Sequence, residues 1–375
     1  MNFDFDSGII ALHEKIKGFL GPDTKADLRT LRQGSVAEIR EATLKLLGIL
    51  GQAGYTGLDN GKNTVELTAT RETLAAFDPS LFLSTESSTR VFGRLLAIYG
   101  TADQKEEILL PLKKGRLIGA VALSEKSMNI ENDPLDTKGI SVENGFQVCG
   151  SKGHVVNAPI ADWIAVAGIC ESARAFFLIR KGSEGLSIGR RIPTPGYSGV
   201  TISSLTLEDC QVPPAYVIGP FKGKEPLEEV RSWEDQALTA ASLGQIKRSF
   251  DAALNYAKSH KSSGKPIIAY QEVGFKLAEM LTLLQTAQLL AYRAAWMDES
   301  GDKEAPVLAY CAKVFCTESA EKVASQALQI LGGQGYISGN AAEEGYREAK
   351  YLQIAGTSTE ISRMKIADKV LGTHE

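Results

Sequence analysis

A chain of 375 residues is long for one hydrophobic core and comfortable for two or three, because single cores stop growing well short of this length. With 43% apolar residues, 23% charged residues and a net charge of -4, it has the composition of an ordinary globular protein and no basic excess to match a phosphate backbone, which argues against nucleic acid as a partner. The five cysteines (Cys149, Cys170, Cys210, Cys311, Cys316) form no CxxC pair, the N-terminus is acidic and no apolar run approaches a membrane span, so the expected setting is a reducing cytoplasm, without disulfides, structural zinc, leader or transmembrane segment.

From Ile9 to about Gly115 the apolar spacing is helical, with Leu12, Ile16 and Leu20 recurring every four residues and Leu46-Leu-Gly-Ile-Leu50 supplying a second face. The glycine-rich stretch Gly54 to Gly61 reads as a loop. Residues 1–116 are therefore expected to form an all-α domain. Between residues 117 and 225 the period changes to two. Gly145-Phe-Gln-Val-Cys149, Trp163-Ile-Ala-Val-Ala167, Ala175-Phe-Phe-Leu-Ile179 and Thr201 to Leu207 read as strands, punctuated by turns at Glu143-Asn-Gly145, Lys181 to Gly185 and Pro193 to Gly196. A small β-barrel or sandwich domain is the expectation.

From residue 226 to 375 helical spacing returns. Leu238, Ala241, Ile246, Phe250, Ala253 and Ala257 trace one face of a helix ending near Ser262-Ser-Gly264; Tyr270 to Met297 and Val307 to Leu331 continue the pattern, with Pro306 in a tolerated first-turn position. The prediction is a four-helix bundle, hence an α+β multidomain chain. The four histidines show no metal-ligand spacing, and no GxGxxG or GxxxxGK follows a strand.

Five stretches carry more specific information: Gly54-Tyr-Thr-Gly-Leu-Asp59, Tyr99-Gly-Thr-Ala-Asp-Gln-Lys105, Leu123-Ser-Glu125, Leu207-Glu-Asp-Cys-Gln-Val-Pro213, and Gln329-Ile-Leu-Gly-Gly-Gln-Gly-Tyr336 with Gly356-Thr-Ser-Thr-Glu-Ile361. In this order they resemble landmarks of the acyl-CoA dehydrogenase family, and the resemblance spans nearly the whole chain. It implies FAD as cofactor and an acyl-CoA thioester as substrate. The reaction it implies removes a proton α to the thioester carbonyl while the β hydrogen leaves as hydride. It further implies an electron-transfer flavoprotein as acceptor and a homotetramer or dimer.

The residue where that family most often keeps its catalytic glutamate is here Gly356, and a one-residue shift would place Ala355 there. Some branches, resembling isovaleryl-CoA and long-chain dehydrogenases, carry the base on the first bundle helix instead. In the register of Ala240-Ala-Ser-Leu-Gly-Gln245 that position is Glu234, the expected base; by itself, a glutamate in a helix's first turn is more often a solvated residue favoured by the helix dipole. The family's following arginine is replaced by Asp235, expected to face elsewhere because neighbours on a helix point about 100° apart. Arg231 and Gly356 are the implied substrate contacts.

The same resemblance implies flavin contacts at Ser124, His154, Val156, Gln329, Gly332, Gly333, Ser358 and Glu360. Several are altered. The family's glycine-bearing loop becomes Lys126 to Asp133, its tryptophan becomes His154 and its threonine Val156, while an arginine and a phenylalanine facing the neighbouring subunit's cofactor become His260 and Ser263. The glycines also have a bland explanation as a helix C-terminus, and a lone histidine at a strand end is more often structural. Two further readings stay open: a flavin-poor or non-catalytic subunit of a heteromer with a related chain, and a non-redox CoA-thioester enzyme.

Overall fold

The helical spacing of the first third is realised as eight helices in a computed structural model that describes residues 7–19, 24–57, 64–125, 135–223 and 225–372. They are α1 (Ser7–Phe19), α2 (Lys25–Gln33), α3 (Val36–Ala53), α4 (Thr64–Phe77), α5 (Pro79–Glu86), α6 (Gly93–Tyr99), α7 (Ala102–Gln104) and α8 (Leu110–Lys113). Local chemistry sets their ends. At the start of α3 the Glu38 amide donates to the Ser35 hydroxyl at 3.4 Å, while the Ser35 amide donates to the Glu38 carboxylate at 2.8 Å. Asp78 caps α5 by accepting from the Leu81 amide at 2.8 Å, with Pro79 in the first turn where its missing N–H costs nothing. Between α5 and α6, Ser87–Phe92 widens into a π-helical stretch. The altered loop Lys126 to Asp133 and the tip of the loop after Gly54 lie outside the described residues.

Eight strands form one sheet: β1 (Gly119–Ala122), β2 (Lys138–Val142), β3 (Gly145–Val156), β4 (Trp163–Cys170), β5 (Ala173–Arg180), β6 (Leu186–Ile188), β7 (Ile202–Val212) and β8 (Val217–Phe221). The order is β6-β7-β3-β2-β4-β5-β8, with β1 parallel to β4. The turn read at Glu143-Asn144 is the β2–β3 hairpin, since Val142 pairs with Gly145. Alternation located the first part of β3, β4 and β7 and the middle of β5. It missed β1 because all four of its residues are buried and the strand carries no period-two signal. A break in the β3–β7 register between Lys152 and Val155 places His154 within an irregularity, where a side chain can be re-aimed.

The Lys152 side chain, buried on β3, donates to the Glu125 carboxylate at 2.6 Å and to the Leu123 carbonyl at 3.1 Å. The Glu125 carboxylate also accepts from the Thr137 hydroxyl at 2.6 Å and the Asp136 amide at 2.6 Å. This knot ties the segment leaving β1 to β3. Burial pushes the Lys152 ammonium down to about 8, opposed by Glu125.

The last third is led by α9 (Glu225–Ser259), followed by the hairpin β9 (Lys261–Ser262) and β10 (Lys265–Pro266), then α10 (Gln271–Glu299), α11 (Ala305–Leu331), α12 (Ala341–Ile354) and α13 (Thr359–Leu371). The first of these helices ends earlier than the spacing predicted, because Ser262-Ser-Gly264 belongs to the hairpin. Helix α9 packs against α4, α10, α11 and α12 at once. Contact with α4 is close: a Cβ on Gly244 would lie 2.6 Å from that of Ala75. Among the described residues no helix is long and apolar enough to cross a membrane.

Replacing Lys152 with methionine would leave Glu125 buried and without its cation. The expected loss is about 3–5 kcal/mol of unfolding free energy, read as a lowered midpoint in chemical denaturation. An unchanged midpoint would show that the pair contributes nothing.

Candidate active site

Helical geometry sorts the residues of α9 onto two faces. Arg231, Glu234, Ala237 and Leu238 line a cavity of about 330 Å³. Ser232, Asp235, Gln236 and Thr239 line a second one of about 100 Å³, reached by α10, α11 and α4. The opposite wall of the larger cavity comes from the sheet and its approaches, through Val121, Leu123, Ser124, His154, Val156 and Ile202. Leu83, Glu86 and Val91 close it from the α5 side, and Tyr351, Ile354 and the Ala355–Gly356 turn from the end of α12.

Glu234 is the reactive candidate. Its carboxylate accepts from the Arg231 guanidinium at 2.7 Å, and its side chain keeps 27% exposure. Burial raises its pKa above the ordinary glutamate value; Arg231 opposes this, Asp235 reinforces it and Lys313 opposes it more weakly. By linkage, the stability associated with the protonated carboxyl is present below the unfolded value and lost as the pH rises through the raised one. One expectation needs correcting. Helix α9 begins at Glu225, so Glu234 stands in its third turn, too far in for the helix dipole to explain it.

Six of the predicted site residues are brought together here: Ser124, His154, Val156, Arg231, Glu234 and Gly356 all line the cavity. The other five are not. Gln329 lies exposed near the end of α11, and Gly332, with φ +57°, terminates that helix in a conformation suited to glycine. Gly333 follows in a short 3₁₀ turn, where a Cβ would meet open space. The Ser358 hydroxyl caps α13 by accepting from the Ile361 amide at 3.3 Å. Glu360 is exposed in the first turn of α13, its carboxylate held below the usual range chiefly by a backbone amide.

Three contributors escaped the sequence reading. Glu86 is a second carboxylate in the cavity wall, but Arg71 and Tyr55 donate to it at 2.6 and 2.5 Å, which occupies both oxygens. Tyr351 lines the cavity, its hydroxyl pKa pushed up by burial and by Glu234. Lys313 on α11 is fully buried and reaches Asp235 at 2.9 Å, so Asp235 does turn from the cavity as expected. The one available signal for Lys313 was a lysine interrupting the apolar stripe of α11. No group of three or more potential metal ligands occurs among the described residues.

Residues 232–371 match the family model described as acyl-CoA dehydrogenase, C-terminal domain. A 3-(aryl)acrylate reductase of Clostridium sporogenes is 32% identical over 78% of this chain and 78% of its own length. A benzylmalonyl-CoA dehydrogenase of Aromatoleum aromaticum is 30% identical over 74% of each. In three dimensions, butyryl-CoA dehydrogenase from Megasphaera elsdenii superposes with a TM-score of 0.88 at 23% identity, covering 99% of this chain and 100% of that one. A helical block, a sheet and a set of long helices, with a carboxylate-bearing cavity between them, define an oxidoreductase of the acyl-CoA dehydrogenase type. The chain belongs to the acyl-CoA dehydrogenase family.

Carbon-13 NMR of protein labelled at glutamate carboxyls should show Glu234, assigned by Glu234→Gln, titrating above 4.5. In Arg231→Met the titration should move up further, because the opposing cation is gone. A titration at or below the ordinary value would refute the desolvated setting.

Proposed function

We propose that this chain is an FAD-dependent acyl-CoA dehydrogenase in which Glu234 removes the α proton of the bound thioester. The observation that carries the reading is the pairing of Glu234 with Gly356 in the lining of one cavity. The position where the family most often keeps its base has no side chain, and a carboxylate with a raised pKa stands nearby. A base with a raised pKa is better matched to a weakly acidic carbon acid. Arg231 holds its carboxylate in one orientation through the 2.7 Å hydrogen bond. Leu83, Val91, Val121, Leu123 and Leu238 give the cavity apolar surface that excludes water and accepts the acyl chain.

The residues present suit the cofactor. Val156 and Ile202 offer an apolar face, with Ser124, His154 and Thr194 as polar groups beside it. FAD, when bound, accepts the β hydrogen as hydride. Val156 would pack against it where the family's threonine would donate a hydrogen bond, so this chain's grip would rely more on shape. The exposed group Gln329, Gly332, Gly333, Ser358 and Glu360 is assigned to the cofactor of a neighbouring subunit, reached only in the assembly.

Assembly is supported by apolar residues left exposed on the helical block: Phe275, Leu289 and Trp296 on α10, and Val370 and Leu371 on α13. A homotetramer or dimer would cover them. An electron-transfer flavoprotein is the proposed acceptor, and the cytoplasm the proposed location, consistent with five free cysteines.

The purified chain should show a flavin absorption spectrum that an acyl-CoA bleaches, and Glu234→Gln should slow the bleaching by about 100-fold or more. Absence of flavin after reconstitution would contradict the proposal. Light scattering should give a mass well above the 40.3 kDa of one chain; a monomer would remove the assignment of the exposed glycines.

A further inference from the structure

The turn joining α12 to α13 is held from below by two buried side chains. Asp235, 6% exposed, uses a single oxygen, Oδ1, to accept from the Lys313 ammonium at 2.9 Å and from the Thr357 amide at 2.8 Å. Lys313, fully buried, also donates to the Ala355 carbonyl at 2.8 Å. The carbonyl before Gly356 and the amide after it are thus both gripped, from α11 and from α9.

The grip decides what can stand between them. Gly356 has φ +66°, a conformation that disfavours every residue with a Cβ. A Cβ there would lie 2.3 Å from Asp235 Oδ1, 2.9 Å from Leu238 Cδ1 and 3.3 Å from Lys313 Nζ. The first distance is far inside contact, and the obstructing atom is not free to swing away, because two donors hold it.

We propose that Asp235, clamped by Lys313, is the positioning residue that confines the catalytic carboxylate to α9, by fixing the Ala355–Thr357 turn in a form that admits no side chain at position 356. In this chain the base cannot return to the turn by substitution at 356 alone. The steric part of the proposal stands without the function assigned above; its consequence for catalysis rests on Glu234 being the base.

The clamp also touches Glu234 electrically. The charged and titratable groups around Glu234 are Arg231 and Asp235 on α9, Lys313 on α11, Tyr351 on α12, His154 on β3 and Glu86 on α5. Of these, Asp235 contributes a raising effect and Lys313 a lowering one. Removing the Asp235 charge while keeping its shape therefore moves the Glu234 titration to lower pH.

Three measurements separate the parts. Gly356→Ala should lower the melting temperature by several degrees in the natural chain, and by less than half as much in an Asp235→Ala/Lys313→Met background, or in Asp235→Ser/Lys313→Gln should that one fail to fold. Equal losses in both backgrounds would overturn the steric claim. In Asp235→Asn, carbon-13 NMR should show Glu234 titrating at lower pH than in the natural chain, a change that a purely structural residue would not produce; an unmoved titration would overturn the electrostatic part. Glu234→Gln/Gly356→Glu should regain no exchange of the thioester α proton, and recovery would overturn the confinement. If Glu234→Gln alone kept full exchange, the assignment of the base would fail while the melting comparison still judged the clamp.

Discussion

The ion pair between Lys313 and Asp235 is the contact on which the site's arrangement depends. Both side chains are almost wholly out of water, so each charge is stabilised chiefly by the other and by the backbone of the 355–357 turn. Buried pairs of this kind add little net stability compared with well-packed apolar residues, but removing one partner costs about 3–5 kcal/mol. What the pair provides is geometry. It joins three elements far apart in sequence, α9, α11 and the turn after α12, and it leaves at position 356 room only for glycine.

Helix α9 carries the consequences to the cavity. Because successive residues diverge by about 100°, Glu234 and Asp235 are neighbours in the chain and yet serve opposite sides of the helix. One faces the cavity beside Arg231; the other is anchored in the packed interior. The anchored carboxylate and the surrounding burial both raise the Glu234 pKa, and Arg231 limits the rise. Glu86 shares the cavity but has both oxygens engaged by Arg71 and Tyr55, which leaves Glu234 as the carboxylate with one oxygen still open for proton transfer.

Much of this was legible in the sequence, and what was not has physical causes. Element types followed from periodicity. Strand β1 did not, since Gly119-Ala-Val-Ala122 is buried on both faces and shows no alternation. Glu234 and Gly356 could be paired from the family resemblance, and Arg231 from its place one turn earlier. Helical spacing returning at residue 226 places the start of α9 next to the observed Glu225, so the first-turn position given to Glu234 does not follow from it; the residue stands in the third turn. Glu86 and Lys313 escaped because their roles come from tertiary partners on other elements. Gln329, Gly332, Gly333, Ser358 and Glu360 were legible only as family positions; within one chain they lie on the surface or cap helices.

The claim that α-proton removal belongs to Glu234 can be tested apart from electron transfer. A saturated acyl-CoA analogue that can lose its α proton but cannot be oxidised would be incubated with the protein in deuterium oxide, and deuterium at the α carbon followed by mass spectrometry. Exchange with the natural protein, reduced by about 100-fold or more in Glu234→Gln, is the predicted result. Exchange at the same rate in Glu234→Gln would contradict it and send the search for the base to another residue of the cavity wall.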